Sequence, residues 1–322
     1  AASTLPLLIA LAVAAFNNRE NVALALACAV AAVLALAGGL ALLRWSAKPA
    51  AIAVLTAVGV VPLLCVSPAA DRLVATLMIT ALAAALFAVV AIGDRLPGVT
   101  PEVRLVWSAL SAVAALTAVT VAFDRMVAGP VLLAMAMVIA VAGRREPVAR
   151  WAAVGFALIG GMFYLDCAPP SALAHATELS VATAVSVLIA SVLVTGAAVA
   201  LVWAYSGAGV ADDAVRVLWS AAAAVSGYAV TTFTVTAGVL VGGGGAGFFG
   251  GHMAATICWI AAAAGLFGYA ARQATRQRSL PIGGGLSSSA ALDVAVALAL
   301  GFDGPPLALA EACQRAEQRA SG

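Results

Sequence analysis

The last part of the chain contains a glycine-rich turn followed by serines, a combination that can bind phosphate. Its members are three glycines and three serines: Gly283, Gly284, Gly285, Ser287, Ser288 and Ser289. A turn that leads into a helix presents unpaired backbone N–H groups and the positive end of the helix dipole to an anion. The pattern therefore predicts a phosphate site in which serine hydroxyls assist in binding phosphate or Mg²⁺. An ordinary helix cap has the same composition and is the alternative.

Two histidines and a glutamate lie in connections on one predicted side of the membrane. His175 and Glu178 are three residues apart and would share one face of a helix, and His252 opens a later apolar run on the same side. Imidazole and carboxylate groups bind divalent metals, so a metal site is one hypothesis. The spacing is not diagnostic of a metal, however. A solvated polar loop predicts the same residues, and we favour that interpretation.

The adjacent charges Asp124 and Arg125 lie between two apolar runs that leave almost no loop between them. Ionisable groups inside a bilayer are costly and usually mark a functional path. One hypothesis is therefore a buried intramembrane ion pair on a substrate path. The alternative, which we favour, is the polar turn of a helical hairpin at the outer interface.

Composition defines the environment in which these residues act. Hydrophobic residues make up 64% of the 322 residues, charged residues 9%, and the mean hydropathy is +1.11. Soluble domains contain roughly 45–50% apolar and about 25% charged residues, so this chain cannot build a water-facing surface. The net charge of +2 leaves no basic patch for nucleic acid. Abundant alanine and few aromatic residues indicate helices that approach one another closely.

Apolar runs without Asp, Glu, Lys or Arg predict about ten membrane-spanning helices, since roughly 20 helical residues cross the hydrocarbon core. The runs are 1–16, 22–43, 50–66, 73–92, 105–123, 126–143, 151–165, 180–205, 217–241 and 252–271. The run at 151–165 is short, and a tilted, extended or re-entrant segment is possible there.

Positive charges between the runs predict the orientation, because they favour the cytoplasmic side. Alternate connections, together with the segment after the last run, hold eleven of them: Arg44, Lys48, Arg95, Arg104, Arg144, Arg145, Arg150, Arg216, Arg272, Arg276 and Arg278. The opposite connections hold three: Arg19, Arg72 and Arg125. We therefore expect both termini in the cytoplasm and a location in the inner (plasma) membrane.

Two helices of the predicted set begin with the same motif. Arg104-Leu-Val-Trp107-Ser-Ala and Arg216-Val-Leu-Trp219-Ser-Ala are 112 residues apart and four predicted helices apart. Both arginines lie on the predicted cytoplasmic side, so the pattern indicates a parallel internal repeat, an arrangement known in transporters. Chance similarity between two helices with interfacial Arg and Trp anchors is the alternative.

The stretch from Gly247 to Trp259 (Gly-Phe-Phe-Gly-Gly-His-Met-Ala-Ala-Thr-Ile-Cys-Trp), after the Arg-x-x-Trp-Ser helix, resembles the bacterial membrane proteins grouped as domain of unknown function 2339. The likeness covers roughly residues 22–278. It implies a polytopic inner-membrane protein and supplies no activity or site residues.

The tail has a different resemblance. Pro281-Ile-Gly-Gly-Gly-Leu-Ser-Ser-Ser-Ala-Ala-Leu292, followed by Ala312-Cys-Gln-Arg-Ala-Glu317, is similar to the second motif of galactokinases and their small-molecule kinase superfamily. The resemblance implies that the six glycines and serines of the turn would hold the phosphates of Mg-ATP. The family's sugar-binding motif, catalytic aspartate and third motif are absent from this sequence. Without them phosphoryl transfer cannot be positioned, so we expect no kinase activity.

Taken together, the sequence predicts an all-α protein with a transmembrane helical bundle over residues 1–271 and a short cytoplasmic tail over 272–322. An eleventh span at 282–300 is a less favoured alternative, because Asp293 opposes insertion. Transport or an envelope-related role is the functional expectation. The rivals are a sugar-kinase fragment fused to a membrane protein and a mis-joined reading frame. The lipid bilayer is the expected partner, a homo-oligomer or another membrane partner is left open, and no cofactor is expected unless the tail binds Mg-ATP.

Overall fold

A computed structural model describes residues 4–17, 21–176, 179–277, 297 and 301–321, and its regular elements there are helical. The α-helices, in chain order, are α1 (Thr4–Asn17), α2 (Val22–Leu43), α3 (Pro49–Leu64), α4 (Arg72–Ala91), α5 (Pro101–Ala122), α6 (Arg125–Ala142), α7 (Pro147–Cys167), α8 (Val181–Ser206), α9 (Asp212–Gly242), α10 (Phe248–Gln277) and α11 (Pro306–Ser321). Two short 3₁₀ turns, Gly93–Arg95 and Pro170–Leu173, lie in connections.

The helices begin where the sequence provides capping groups. The side chains of Asn21, Asp71 and Ser180 accept hydrogen bonds from the first backbone N–H groups of α2, α4 and α8. Pro49, Pro101 and Pro147 begin α3, α5 and α7, where the missing N–H of proline has no cost. The capping residues and prolines set where each helix begins, so the connections between helices are short. Short connections make successive helices pack as antiparallel pairs.

Seven ranges of the described chain are long and apolar enough to cross a membrane. They are Val22–Leu43, Arg72–Ala91, Pro101–Ala122, Arg125–Ala142, Pro147–Cys167, Val181–Ser206 and Asp212–Arg272. Two apolar helices are shorter, Pro6–Ala15 and Pro49–Leu64. Of the three possibilities for the short run at 151–165, the structure shows a longer helix. Helix α7 runs from Pro147 to Cys167, which is 21 residues.

The last of the seven ranges contains two helices that pack against each other. The π-helical stretch Gly243–Gly247 joins α9 to α10, and Gly243 has a positive φ of 75°. Beyond it, the indole N–H of Trp259 on α10 donates to the Thr231 hydroxyl on α9 at 3.1 Å. Gly251 lies directly against the backbone of Val235, leaving no room for a side chain. These contacts make α9 and α10 an antiparallel pair.

The helices form two bundles. In the first bundle, α1–α5, the pairs α2–α3 and α4–α5 pack side by side, and α3 also packs on α5. In the second bundle, α6–α10, α6 packs on both α7 and α8, and α9 packs between α8 and α10. One buried apolar cluster belongs to α1–α5 and a second to α6–α9. Contact between the bundles is thinner and comes mainly from α5.

The distribution of side-chain size is that of a membrane protein. Alanine and glycine dominate the helix interfaces, whereas large apolar side chains such as Leu34, Leu77 and Phe87 are 60% exposed or more. Small residues let helices pack closely where no hydrophobic effect drives them together. In water, so much exposed apolar surface would cause aggregation. The chain is therefore a multi-pass helical membrane protein.

The two ends of the helices differ in charge, in both bundles. At one end, Arg144 and Arg150 stack on α8, and Gly93, next to Arg95, lies against Arg104. This is called the arginine-rich end. At the opposite end, Arg72 and Arg125 form ion pairs with Asp124 and Asp166.

Candidate functional site: a cavity between the two bundles

The most developed site of the described chain is a cavity of about 570 Å³ where the two bundles meet. Its walls come from α4 and α5 of the first bundle and from α6 and α7 of the second. Along α5 its lining runs from Pro101 to Ala115, and the part from Arg104 inward is about 16 Å long at 1.5 Å per residue. The cavity therefore extends from the arginine-rich end to about the middle of a 30 Å hydrocarbon core. Its volume is in the range of pockets that bind small molecules.

The cavity exists because α5 and α6 diverge from a tight turn. Phe123 and Asp124 adopt extended backbone conformations that end α5 and begin α6. From there α5 follows α3 and α4, while α6 follows α7 and α8. Because each helix packs within its own bundle, the gap between α5 and α6 widens with distance from the turn. The result is a V-shaped opening whose apex is Asp124 and Arg125.

The apex is held by one ion pair on each side. The Asp124 carboxylate lies 3.0 Å from the Arg72 guanidinium, which also donates from Nε to the Val121 carbonyl at 2.9 Å. The Arg125 guanidinium lies 3.7 Å from the Asp166 carboxylate on α7. Asp124 and Arg125 were predicted as a possible intramembrane pair. In the structure Asp124 forms its ion pair with the first bundle, and Arg125 forms its ion pair with α7 of the second bundle. All four charged side chains are at least half exposed.

The inner wall of the cavity is largely apolar. Two serines of α5 face it, but both hydroxyl protons are used: Ser108 donates to the Arg104 carbonyl at 2.6 Å, and Ser111 donates to the Ala83 carbonyl of α4 at 2.9 Å. Their remaining lone pairs can only accept hydrogen bonds. Phe156, which is buried, contributes an aromatic surface from α7. Deep in the cavity a ligand therefore meets hydrocarbon with a few weak acceptors.

The charged groups of the cavity lie at its mouth. Arg104 comes from the first turn of α5, and Glu146 precedes Pro147 at the start of α7. They are the titratable residues among the described lining. A cation and an anion at the rim of an apolar cleft can orient the polar head of an amphipathic molecule.

The sequence identifies Arg104 as a cytoplasmic charge and as the first residue of the motif that it shares with Arg216, with an interfacial anchor as the alternative. It does not single out Glu146 or Ser111. Glu146 had one signal in the sequence, since it is the acid in a connection with three arginines, Arg144, Arg145 and Arg150. Nothing in the spacing of Ser111 distinguishes it from helical serines such as Ser108, Ser191 and Ser220, which bond carbonyls four residues earlier.

The two histidines lie at the opposite end from the cavity mouth. The His252 ring Nε2 is 3.0 Å from the Leu173 carbonyl, and the His175 ring Nδ1 is 3.4 Å from the Ser171 carbonyl. Both rings therefore contact the same short 3₁₀ turn. Glu178 lies outside the described residues. Among the residues that are described, no group of three His, Cys, Asp or Glu is placed to hold a metal ion.

The predicted phosphate turn, Gly283–Gly285 with Ser287–Ser289, also lies outside the described residues. The part of the tail that is described is α11, in which Leu309 and Cys313 are buried. The nucleotide-binding prediction for the turn stays a prediction.

A second set of polar groups is buried within the second bundle. The Tyr164 hydroxyl is hydrogen-bonded to Ser191 at 2.9 Å, and Tyr228 donates to the Ala168 carbonyl. Thr232, which is 3% exposed, lies beside both phenols without a well-formed hydrogen bond of its own. These bonds tie α7, α8 and α9 together near the end opposite the cavity mouth, so they stabilise the second bundle as a unit.

Comparison with known proteins adds no family to this description: no protein-family model matches the chain, and neither the curated proteins nor the solved structures contain a match.

Proposed function

We propose that this chain is a ten-span transport protein of the bacterial inner membrane, with both termini cytoplasmic, that binds a single-chain amphiphile in the cavity between its bundles. The observation that carries the proposal is the cavity itself: a deep, apolar cleft with opposite charges at its rim, between two bundles that pack well internally and thinly on each other. An envelope-related role in which the ligand is held but not moved is the alternative.

Ten spans are supported by the packing of the two short helices, α1 and α3, and of α9 and α10, which together form one long apolar range. The apolar helices α1 and α3 are short, but both pack inside the first bundle. The single long range at the end of the apolar region consists of the antiparallel pair α9 and α10. The arginine-rich end supports a cytoplasmic location for the cavity mouth. These features also agree with the likeness to domain of unknown function 2339.

The internal repeat is supported by a shared local structure. In α5 the Ser108 hydroxyl bonds the Arg104 carbonyl, and in α9 the Ser220 hydroxyl bonds the Arg216 carbonyl in the same way. Each of these helices also forms an antiparallel pair with the helix before it. We propose a parallel duplication in which the two motifs are equivalent positions.

The ligand class follows from the charges and the volume. Arg104 would bind a phosphate or carboxylate, and Glu146 would bind a cationic group on the same polar head. A zwitterionic head with one acyl chain fits a cleft that is charged at its rim and apolar within. Rocking of one bundle on the other about the Asp124–Arg125 turn would expose the cleft to the opposite side of the membrane, as in known transporters.

Binding by the detergent-purified full chain tests this proposal. The probes are chain-labelled fluorescent lysophosphatidylethanolamine, which is zwitterionic, and lysophosphatidylglycerol, which is anionic. Arg104→Gln should weaken binding of both probes by about tenfold or more, because hydrogen bonds to charged groups contribute roughly 1.5–3 kcal/mol. Glu146→Gln should weaken only the zwitterionic probe. Arg216→Gln is the matched control, since Arg216 occupies the repeat-equivalent position and does not line the cavity.

Flux of the same probe across proteoliposomes separates transport from binding. Probe movement that Arg104→Gln slows and Arg216→Gln does not would support a transporter. Binding without movement would support the envelope-related alternative. Equal effects of the two arginine variants on binding would overturn the cavity as the site.

For the tail we propose that the galactokinase-like turn, although similar to an ATP-binding motif, supports no phosphoryl transfer. The resemblance implies contacts from the glycines and serines of the turn to Mg-ATP and provides no catalytic base. Mg-ATP binding by the full chain, compared with a Ser287→Ala variant, tests whether the turn holds nucleotide. Turnover of a sugar by the full chain would overturn this expectation.

A further inference from the structure

The connection between α6 and α7 has a second face that does not line the cavity. The Arg144 guanidinium lies 4.6 Å from the centroid of the Trp203 ring, and the Arg150 guanidinium lies 5.7 Å from that of Tyr205. Both aromatic residues belong to the last turn of α8. With Arg145, these residues form what is called here the arginine–aromatic cap. We propose that the arginine–aromatic cap binds the headgroup of an anionic phospholipid.

The charge of the cap fits a phosphodiester. Arg144, Arg145 and Arg150 lie within seven residues, and the one acid among them, Glu146, lines the cavity on the other side of the connection. An arginine stacked on an aromatic face keeps the N–H groups of its edge available for two parallel bonds to an oxyanion. The Arg150 guanidinium is also fixed by a hydrogen bond to the Arg144 carbonyl at 3.2 Å. The cap is thus positively charged and preorganised.

Two donors of the cap have no acceptor within the described structure. They are Nε of Arg150 and the hydroxyl of Tyr205, and both atoms are buried. Buried donors nearly always have an acceptor in folded proteins, so two neighbouring donors without one need an explanation. A phosphate oxygen that reaches between Arg150 and Tyr205 would accept from both.

The surface below the cap suits acyl chains, which a free phosphate ion does not have. Trp151 and Leu158 on α7 are 69% and 63% exposed, and Val192 and Val199 on α8 are 60% and 42% exposed. Within each helix the two residues are seven apart and so lie on one face. The Trp151 and Tyr205 rings meet edge to face at 6.4 Å, so the α7 stripe begins at the cap. Trp203 of the cap is four residues from Val199 and lies on the same face of α8. Trp side chains at such a level are typical of a membrane interface.

Energy transfer from tryptophan to pyrene-labelled phosphatidylglycerol, added to the full chain in neutral detergent, tests the proposal. Arg144→Gln with Arg145→Gln should weaken binding about 25-fold, since each arginine near an anionic lipid surface contributes roughly fivefold. Arg144→Lys should retain part of the affinity, because it keeps the charge and loses the planar fork. The matched control is Arg44→Gln with Arg95→Gln, which removes the same charge from exposed positions of the first bundle.

Each outcome bears on the proposal. Loss of binding in the cap variant alone, with competition by unlabelled phosphatidylglycerol but not phosphatidylcholine, would support it. An equal loss in the control variant would show a general surface potential and overturn it. Competition by millimolar inorganic phosphate that equals competition by the lipid would assign the cap to free anions and also overturn it. A cavity-filling variant, Ala112→Phe, must leave the binding unchanged, because the cap lies outside the cavity.

Discussion

Helices α5 and α9 begin with the same six-residue motif but have different surroundings. Trp107 of α5 is completely buried in the first bundle, whereas Trp219 of α9 is 47% exposed. In both helices the serine after the tryptophan bonds the arginine carbonyl four residues earlier. The local structure is therefore the same, and the difference arises from neighbouring helices.

The neighbours explain why the cavity of about 570 Å³ lies beside α5, whereas α9 lines a much smaller pocket of about 20 Å³. Helix α5 packs on α3 and α4 and also faces α6 and α7 of the other bundle, so it is central. Helix α9 packs between α8 and α10 and leaves the outer face of its first turns exposed. A repeated motif thus provides the same anchor twice, but only the central copy forms part of a wall between bundles.

The largest expected effect concerns the two tryptophans. Trp107→Ala should lower the free energy of unfolding by about 3–5 kcal/mol, because it leaves a cavity in a packed core. Trp219→Ala should change it by about 0.5 kcal/mol or less, as for other exposed sites. Denaturation by SDS in mixed micelles, followed by circular dichroism, measures both.

A further variant identifies the cause of the loss at Trp107. Its indole N–H is buried without an acceptor in the described structure, so Trp107→Phe keeps most of the ring volume and removes an unpaired donor. It should destabilise much less than Trp107→Ala. Similar losses for Trp107→Ala and Trp219→Ala would contradict the central position of α5.

The next effect is on binding and compares two positions that are 112 residues apart, the same separation as Arg104 and Arg216. Ala112 lines the cavity, and its equivalent Ala224 on α9 is exposed. Ala112→Phe should weaken binding of labelled lysophosphatidylethanolamine about tenfold or more, which corresponds to roughly 1.4 kcal/mol, because the phenyl ring would occupy space that the ligand needs. Ala224→Phe should leave the affinity unchanged in the same fluorescence titration. If both variants bind equally well, the ligand does not occupy the interbundle cavity.

The sequence predicted most of the fold because bilayer physics is simple. Apolar runs between charged residues or Pro/Gly breaks predicted an all-helical membrane protein, and this is confirmed. The helix ends were less accurate, since the runs were read only between charged residues or Pro/Gly breaks. Arg104, Arg150 and Arg216 lie inside helices, which extend one or two turns beyond the apolar core. A helix does not end where hydrophobicity ends.

The cavity could not be predicted, because it depends on which helices pack together. Helix α3 packs on α5, and α6 packs on α8, although neither pair is adjacent in sequence. The small residues at these contacts look alike in every helix. The same limit applies to Asp124 and Arg125: the sequence indicates a polar turn, but only packing brings Arg72 and Asp166 to it.

The smallest expected effect compares two ion pairs, one formed by Asp124 and one formed by Asp213. Asp124 pairs with Arg72 across helices, and Asp213 pairs with Arg216 within the first turn of α9. Asp124 does not cap α6 with its side chain, so Asp124→Asn removes charge without removing a cap. Both acids lie at helix N-termini and gain similarly from the helix dipole. The difference between Asp124→Asn and Asp213→Asn therefore isolates the interhelical pair.

We expect Asp124→Asn to cost no more than about 1 kcal/mol and Asp213→Asn roughly 0.3–0.5 kcal/mol, because exposed pairs are weak. Both losses should shrink as salt is added, since mobile ions screen exposed charges. SDS denaturation at low and high salt measures them. A loss of several kcal/mol at Asp124 that salt does not reduce would mean that the pair is desolvated. The Asp124–Arg125 turn would then be a rigid brace between the bundles, and rocking about it would no longer explain transport.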